Sequence, residues 1–217
     1  MITVNGSVVK SADMKVDPQN DIITLNGSEI SYKKHIYIMM NKPQGVVCST
    51  RDGLSPTVLS LVPEGLMRDG LFPAGRLDKD TEGFVLITDD GELAHRMLSP
   101  KHHVPKMYYV QLEKDVEDYY IESFSSGITL RTGEECLPAE FYNGKNLREC
   151  YVVLHEGMFH QIKRMFEVLD NKVIYLKRLQ IGGVVLDEDI PLGECKEIMH
   201  KNVENLLADF DFAERFC

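Results

Sequence analysis

The stretch that most constrains this chain is Gly75-Arg-Leu-Asp-Lys-Asp-Thr-Glu-Gly-Phe-Val-Leu-Ile-Thr-Asp-Asp-Gly91. Its apolar run 84–87 is short and is closed by the turn-forming residues 88–91, which predicts a buried strand. Arg76 and Asp78 come just before this run, so we expect both on a loop that a rigid strand holds in place. Loops of this kind often carry reactive groups. The stretch therefore predicts a site around Asp78.

Composition indicates an ordinary packed protein. The 217 residues fit one large domain, or a main domain with a small appendage, and 43% of them are hydrophobic. No apolar run approaches the roughly 20 residues that span a bilayer, and the start of the chain lacks the features of a secretion signal. The 5 cysteines are an odd number without a Cys-x-x-Cys pair, which favours reduced thiols. We expect a cytoplasmic protein with no membrane partner.

Charge is distributed unevenly along the chain. The net charge of −10 argues against a uniformly basic nucleic-acid binder. Residues 95–106, however, contain Arg96, Lys101, Lys106 and three histidines and no acidic residue. A locally positive cleft on an acidic body would still attract phosphate, with less long-range steering than a basic protein has.

The first thirty residues predict two β-hairpins. Asn5-Gly6 and Asn26-Gly27 each separate two short β-prone segments. Asn-Gly readily adopts the positive φ angles of the type I′ turn that joins hairpin strands. The N-terminal region is therefore expected to be a small β arm.

The loop at residues 101–106 is basic and contains the adjacent histidines His102 and His103. No cysteine or carboxylate lies nearby at the spacing of metal ligands, so we do not expect a metal site. Contact with RNA phosphates and simple solvation of the loop both remain open. The helix predicted just before this loop, at residues 91–98, has apolar residues at helical spacing and is ended by Ser99-Pro100.

Two further stretches carry candidate site residues. Lys106-Met-Tyr108 begins a predicted strand whose alternation places Tyr108 and Val110 on one face. In residues 156–169, apolar residues recur at helical spacing from Phe159 onward and predict a helix face that packs on the core. Lys163 lies at the edge of that face, where an unpaired ammonium group would be costly, so a carboxylate partner is expected.

These stretches together resemble the pseudouridine synthases, in the subfamily typified by RsuA, which modifies small-subunit ribosomal RNA. The matching motifs are Gly-Arg-Leu-Asp-x-x-Thr-x-Gly at 75–83, Asn-Lys-Pro-x-Gly at 41–45, Lys-x-Tyr at 106–108 and His-Gln-Ile-Lys-Arg-Met at 160–165. The resemblance covers about residues 36–200. It implies an α+β fold, with a mostly antiparallel mixed sheet and flanking helices. Residues 1–33 resemble the last strands of an S4 RNA-binding domain without its two helices, ahead of a catalytic domain at 34–217.

The resemblance also implies a reaction and a set of site residues. The reaction isomerises a specific uridine of 16S (small-subunit) ribosomal RNA to pseudouridine, and it needs no cofactor because no redox step occurs. Asp78 would be the catalytic carboxylate, Lys163 its partner that keeps it ionised, and Tyr108 the ring that stacks on the uracil. Residues expected to bind RNA are Arg76, Lys42, Lys101, His102, His103, Lys106, His160, Gln161 and Arg164. The expected partner is ribosomal RNA, and the expected state is a monomer.

Several alternatives stay open at this point. Asp78 could cap a turn, the tyrosines could be ordinary strand packing, residues 41–45 could be a simple turn, and the β arm could have no RNA role. The protein could modify large-subunit ribosomal RNA, or it could be a non-catalytic RNA-binding or ribosome-assembly factor. It could also be a glycosidase-like hydrolase that uses two of the acids in the central stretch, which are Asp78, Asp80, Glu82, Asp89 and Asp90. The absence of tryptophan disfavours such a sugar-binding enzyme.

Overall fold

A computed structural model of the chain describes residues 1–17, 20–30, 33–99, 101–102, 104–199 and 202–210. The chain forms two compact units, Met1–Ile36 and Tyr37–Cys217.

The first unit is a four-stranded antiparallel sheet. Its strands are β1 (Ile2–Val4), β2 (Ser7–Val8), β3 (Ile23–Leu25) and β4 (Ser28–Ile30), in the order β2-β1-β3-β4. Asn5 and Gly6 have φ angles of 50° and 81°, and Asn26 and Gly27 have φ angles of 52° and 85°. Both turns therefore have the backbone that the Asn-Gly pairs predicted, and the prediction of two hairpins is confirmed. The likeness to an S4 domain stays a prediction.

The second unit is built on a mixed sheet of nine described strands. They are β5 (Tyr37–Lys42), β6 (Phe72–Ala74), β7 (Glu82–Thr88), β8 (Lys106–Leu112), β9 (Glu140–Asn143), β10 (Glu149–Leu154), β11 (Val173–Ile181), β12 (Val184–Val185) and β13 (Cys195–Glu197). The main order is β13-β5-β7-β11-β8-β10-β9, with β12 paired to β11 and β6 paired to β7. Strands β7 and β11 are parallel, whereas the other described strand pairs are antiparallel.

The predicted strand in the central stretch is confirmed as β7. Its residues 83–88 are buried because β7 lies inside the sheet between β5 and β11. A strand that is covered on both faces needs apolar side chains throughout, which explains the unbroken apolar run.

Three α-helices of the described chain flank this sheet: α1 (Gly91–Leu98), α2 (Tyr119–Ser126) and α3 (Gln161–Val168). Helix α1 has the predicted bounds, and the Asp90 side chain caps it by accepting a hydrogen bond from Leu93 N at 2.9 Å. The predicted α+β fold, a largely antiparallel mixed sheet with flanking helices, is confirmed. In the part of the chain that the structure describes, no helix has the length and apolar character needed to cross a bilayer.

Aromatic packing fixes α2 and α3 on the sheet. The rings of Tyr120 and Phe124 on α2 contact Phe141 on β9 and Phe166 on α3, with centroid separations of 5.2–6.0 Å. These large buried side chains supply much apolar area, and their tilted and edge-to-face geometry is favourable. Helix α3 therefore has a fixed position, and with it the side chains that it presents to the site.

Candidate active site

The loop between β6 and β7 carries Asp78 and is held by several hydrogen bonds. Gly45 N donates to Lys79 O at 2.8 Å, and Thr81 N donates to Asp78 O at 3.1 Å. Lys42 lies at the end of β5 and is completely buried, and its Nζ donates to Thr81 O at 2.8 Å and to Pro43 O at 2.9 Å. Burial lowers the pKa of Lys42. The expectation that Lys42 contacts RNA is corrected, because its ammonium group is used inside the protein to hold the Asp78 loop.

The glycine that ends the first motif allows two strands to approach closely. Gly83 has a φ angle of 102° and is paired with Arg178 on the parallel strand β11. A Cβ atom at Gly83 would lie 2.2 Å from Arg178 O, so a larger residue has no room. The Arg178 side chain binds β7 and the loop before it. Its Nε donates to Phe84 O at 2.8 Å, and its Nη1 donates to Arg76 O at 3.4 Å.

The two carboxylate oxygens of Asp78 have different partners. Lys163 Nζ donates to Oδ2 at 3.1 Å, and His160 Nε2 lies 3.5 Å from Oδ1. The Asp78 side chain is 26% exposed, so it is partly screened from water and still open to a ligand. The carboxylate is therefore oriented from both sides, and the expected pairing of Lys163 with Asp78 is present.

Lys163 also binds a second carboxylate. Its Nζ donates to Asp80 Oδ1 at 2.6 Å, although the Asp80 side chain is largely exposed. Partial burial acts to raise the pKa of Asp80, but the hydrogen bond and charge of Lys163 outweigh it and lower that pKa. Partial burial likewise acts to lower the pKa of Lys163, and the hydrogen bonds to Asp80 and Asp78 reverse this and raise it. The ammonium group thus stays charged between two acids.

The turn before α3 brings His160 to the carboxylate. His160 has a φ angle of 51°, in the left-handed region, and α3 begins only at Gln161. A non-glycine residue with this backbone is uncommon and is often found at functional sites. Phe159 lies outside the helix, is 72% exposed and stacks on the His160 ring with a centroid separation of 3.7 Å. The prediction that Phe159 packs on the core was wrong, because the left-handed residue interrupts the helical spacing.

Two side chains that were expected to bind RNA have hydrogen-bond or ion-pair partners within the protein. Gln161 is buried, and its amide donates to Glu156 Oε1 at 2.6 Å while its oxygen accepts from Met158 N at 3.0 Å. An RNA contact by Gln161 is therefore corrected to a role in shaping the turn before α3. Arg164 forms an ion pair with Glu134 and is mostly buried. Its contact with RNA stays a prediction.

A cleft of about 1030 Å³ opens beside Asp78. Lys163 and His160 line it from the α3 side, and Tyr108 and Lys106 line it from β8. Tyr108 is 8% exposed and lies on the same face of β8 as the buried Val110, as the alternation predicted. An acid, a basic partner and an aromatic ring therefore meet in one concave site, which is the usual form of a small-ligand or nucleobase pocket.

The remaining predicted RNA-binding residues lie at or near this cleft to different degrees. Arg76 is exposed and lines the cleft. Lys101 and His102 are exposed on the loop between α1 and β8, outside the cleft lining. His103 lies outside the described residues. In the parts of the chain that the structure describes, no cluster of His, Cys, Asp and Glu could hold a metal ion.

Comparison with known proteins identifies the family to which this chain belongs. The sequence profile of the family described as RNA pseudouridylate synthase matches residues 36–168, which is more than half of the chain. The chain belongs to the RNA pseudouridylate synthase family. The expectation of a pseudouridine synthase, an isomerase that needs an RNA substrate, is thereby confirmed at the level of the family.

Relatives and one solved structure agree with this family. The chain is 43% identical over 206 residues to the Vibrio cholerae protein named ribosomal small subunit pseudouridine synthase A, covering 94% of this chain and 88% of the relative. It is 41% identical over 208 residues to the Bacillus subtilis protein named uncharacterized RNA pseudouridine synthase YtzG, covering 94% and 87%. A crystal structure described as a pseudouridylate synthase superposes with a TM-score of 0.75 at 40% identity, covering 94% and 88%.

A hydrolase that uses two acids of the central stretch does not fit the pseudouridine synthase cleft. Of the five acids in the central stretch, only Asp78 lines it. Glu82 accepts a hydrogen bond from the Tyr175 hydroxyl at 2.6 Å, Asp89 forms an ion pair with Arg68, and Asp90 caps α1. The other four acids of this stretch are therefore not placed to activate water across a sugar bound in the cleft.

Sequence reasoning missed two residues of the synthase site. Asp80 was considered only as a hydrolase acid, although its position two residues after Asp78 allows it to share Lys163. Arg178 lines the cleft, is only 2% exposed and carries no local signal in the sequence. The parallel pairing of β11 with β7 brings it there, and pairing across such a sequence separation is not visible in any short window.

Proposed function

We propose that this protein isomerises a specific uridine of small-subunit (16S) ribosomal RNA to pseudouridine, with Asp78 as the catalytic carboxylate. The observation that carries the proposal is the Asp78 carboxylate in the cleft, held on one oxygen by Lys163 and approached on the other by His160. A carboxylate fixed in this way is ready to act without first reorganising.

The reaction requires one well-placed carboxylate. The N1–C1′ bond breaks, the base turns, and a new C5–C1′ bond forms with loss of the C5 proton and gain of a proton at N1. Positive charge develops on the sugar when the first bond breaks, and an ionised Asp78 can stabilise it or trap it covalently. The Lys163 ammonium group, 3.1 Å from Asp78 Oδ2, holds the carboxylate in position for this step. The atoms balance within the nucleotide, so no oxidant, reductant or cofactor is needed.

The target base must leave its stack to reach Asp78, because C1′ and C5 are inaccessible within a paired helix. Tyr108 lines the cleft and offers a ring face for the extruded uracil. Arg76 is exposed at the same cleft and is placed to bind phosphate or to fill the space that the base leaves. Lys101 and His102 extend the basic surface on the neighbouring loop. His160 would meet the nucleotide beside Asp78.

The names of the relatives support a small-subunit substrate, because the Vibrio cholerae protein carries the name of a ribosomal small subunit enzyme. We further propose that this protein acts as a monomer in the cytoplasm, where ribosomal RNA is made and assembled. Light scattering at several protein concentrations would test the monomer, since a mass that rises with concentration would contradict it. Fractionation of cells that express the protein would test the location.

Mapping of pseudouridine in ribosomal RNA tests the function. RNA that lacks the modification would be incubated with the wild type, with Asp78→Asn and with Asp80→Asn. Carbodiimide labelling and primer extension would then locate new pseudouridines. We expect one new stop in small-subunit RNA with the wild type and none with Asp78→Asn. Asp80→Asn should retain activity, because Asp80 contacts Lys163 from outside the cleft lining.

The other outcomes separate the alternatives. A new primer-extension stop found only in large-subunit RNA would mean that the protein is a pseudouridine synthase with a large-subunit substrate. Inactivity of Asp80→Asn together with activity of Asp78→Asn would reverse the assignment of the carboxylate. No stop on free RNA or on assembly intermediates, with RNA binding intact, would favour a non-catalytic assembly factor.

A further inference from the structure

Two cationic side chains lie under the cleft on adjacent strands. Lys106 and Tyr108 are two residues apart on β8 and project from the same face, and both line the cleft. Arg178 is the direct partner of Tyr108 in the antiparallel pairing of β8 with β11, and it also lines the cleft. Lys106 and Arg178 are thus grouped around the ring on which we place the uracil.

The Arg178 guanidinium has an unused donor. The residue is only 2% exposed, and its Nε and Nη1 donate to Phe84 O and Arg76 O. Nη2 is buried and has no hydrogen-bond partner among the described residues. A buried charged donor without an acceptor is costly and is rare in native proteins. An acceptor supplied by a ligand would remove this cost.

Lys106 also has no ion-pair partner among the described residues. Its side chain donates a hydrogen bond to a neutral acceptor, Val104 O, at 2.8 Å. In the described part of the chain, neither Lys106 nor Arg178 lies within 4.0 Å of a carboxylate oxygen. Burial, with the nearby positive charge of Arg178, lowers the pKa of Lys106 to about 8. Two neighbouring cations in a partly buried site would be stabilised by a negatively charged group bound between them.

That charge does not come from Asp78, since its two oxygens are directed to Lys163 and His160. The other two acids of the cleft lining, Asp52 and Glu156, have no oxygen within 4.0 Å of the Lys106 or Arg178 cations. It must arrive with the substrate, which has two sources of negative charge. One is a backbone phosphate. The other is the base itself, because the electron pair of the N1–C1′ bond leaves with N1 and makes the detached uracil an anion. Its charge is shared by N1 and the two carbonyl oxygens until C5 attacks C1′.

We propose that Lys106 and Arg178 bind the uracil while it is detached and anionic, and so stabilise the leaving group of the first step. This inference rests on the proposed function. The depth of the site favours the base over a phosphate: Arg178 is almost completely buried beside Tyr108, whereas the exposed Arg76 is available at the surface of the cleft. An extruded base is the part of the substrate that enters the cleft, whereas a hydrated phosphate on the RNA backbone would stay at its surface.

The test compares Lys106→Met with the wild type under single-turnover conditions on two RNAs, one with uridine and one with 5-fluorouridine at the target. Fluorine withdraws electrons, so 5-fluorouracil leaves more readily and needs less stabilisation. Its fluorine also prevents loss of a C5 proton, so consumption of the nucleoside follows the steps up to C5–C1′ bond formation. Nuclease digestion and mass spectrometry would measure that consumption. Lys145→Met is the matched control, because Lys145 is exposed and lies outside the cleft lining.

We expect the maximal rate of Lys106→Met with uridine to fall about 100-fold, the effect of removing one donor to a developing anion. The concentration that gives half-maximal rate should change little. The fall with 5-fluorouridine should be several-fold smaller, and Lys145→Met should match the wild type on both RNAs. Thermal unfolding of Lys106→Met would establish that the variant is folded.

Two results would overturn the inference while the wild type remains active. An equal fall with both RNAs would mean that the lysine does not respond to the leaving group. A change confined to the half-saturating concentration would assign Lys106 to a phosphate. Failure of the wild type to form pseudouridine on any ribosomal RNA would instead refute the proposed function, and the inference with it.

Discussion

At the scale of single residues, the site depends on how charge is divided around Asp78. Lys163 lies between two carboxylates, at 3.1 Å from Asp78 and 2.6 Å from Asp80. Two acids on one ammonium group keep the lysine charged, and the ion pair orients the Asp78 carboxylate. Lys106, in contrast, has no described acid within reach. The two lysines therefore have opposite effects on the stability of the fold, whereas both are expected to support catalysis.

The first prediction concerns the partner of Asp78, the proposed catalytic acid. Lys163→Met should lower the rate of pseudouridine formation about 100-fold, because Asp78 loses the group that orients it and stabilises its charge. Release of tritium from RNA labelled at C5 of uridine would measure the rate. Glu167→Gln is a matched control on the same helix, since Glu167 is exposed and outside the cleft lining. Full activity of Lys163→Met would contradict a role for the pair.

The second prediction is that Lys106→Met stabilises the protein. The folded pKa of Lys106 is about 8, below its ordinary value of 10.5, so folding is penalised when this lysine is protonated. The penalty is present in full below about pH 8 and disappears as the pH rises toward 10.5. After allowing for the lost bond to Val104, the variant should be more stable by roughly 1–2 kcal/mol at pH 7.

Chemical denaturation at pH 7 and at pH 10.5 would measure this difference. The gain should shrink at the higher pH, where the wild-type lysine is largely neutral in the folded state and half neutral in the unfolded state. A variant that is less stable than the wild type at pH 7 would mean that Lys106 has a negative partner in the folded protein.

At the scale of elements, the site depends on the parallel pairing of β7 with β11 at Gly83 and Arg178. Gly83 has a backbone that L side chains rarely adopt, and it faces the backbone of Arg178. The pairing at this point aligns Arg178 under Arg76 and Phe84, and so joins β11 to the loop that carries Asp78. The glycine of the first motif is therefore a structural requirement of the site.

The third prediction tests that close approach. Gly83→Ala should destabilise the protein by more than about 3 kcal/mol, because its Cβ would lie 2.2 Å from Arg178 O. Gly133→Ala is the matched control: Gly133 also has a positive φ angle, of 87°, but a Cβ added there would meet no atom within 4 Å. It should cost only about 1 kcal/mol, the backbone effect alone. Urea denaturation would measure the free energy of unfolding of both variants. Equal losses of stability would show that the backbone conformation alone, without a clash against Arg178, requires glycine at position 83.

At the scale of the whole molecule, an acidic protein must bind an acidic polymer. The net charge is −10, and attraction at a distance is therefore weak. Binding should depend on a few cations close to the cleft, such as Arg76 and Lys101, which are exposed. Within a Debye length these charges act on phosphate even though the total charge has the opposite sign.

The fourth prediction concerns the salt dependence of RNA binding. The slope of log binding constant against log salt concentration should be shallow and should become less negative by about 0.7 in Lys101→Gln, the loss of one phosphate contact on a single strand. Lys145→Gln removes the same charge from an exposed turn and should leave the slope unchanged. Fluorescence anisotropy over a salt series would measure both. Equal slopes in the two variants would mean that only total charge matters and that Lys101 makes no local contact.

The sequence alone determined the features that depend on local chemistry. The Asn-Gly pairs specified both hairpins, because only a few residues accept positive φ angles. The apolar run at 84–87 specified a buried strand, and α1 formed over its predicted bounds. A fixed pattern of residue types within a short window was sufficient in each case. The resemblance of the motifs to a known family, rather than any one window, implied that Asp78 and Lys163 belong to one site.

The tertiary structure decided which side chains face the cleft and which are buried. Lys42 and Gln161 looked like RNA contacts and are internal, whereas Phe159 looked like core and is exposed. Arg178 entered the site through parallel pairing with Gly83. Burial and long-range strand pairing are set by the packing of segments that are distant in the chain, so no local pattern reports them. The same packing leaves Lys106 and Arg178 without a described acid, and that lack points to the negative charge on the substrate.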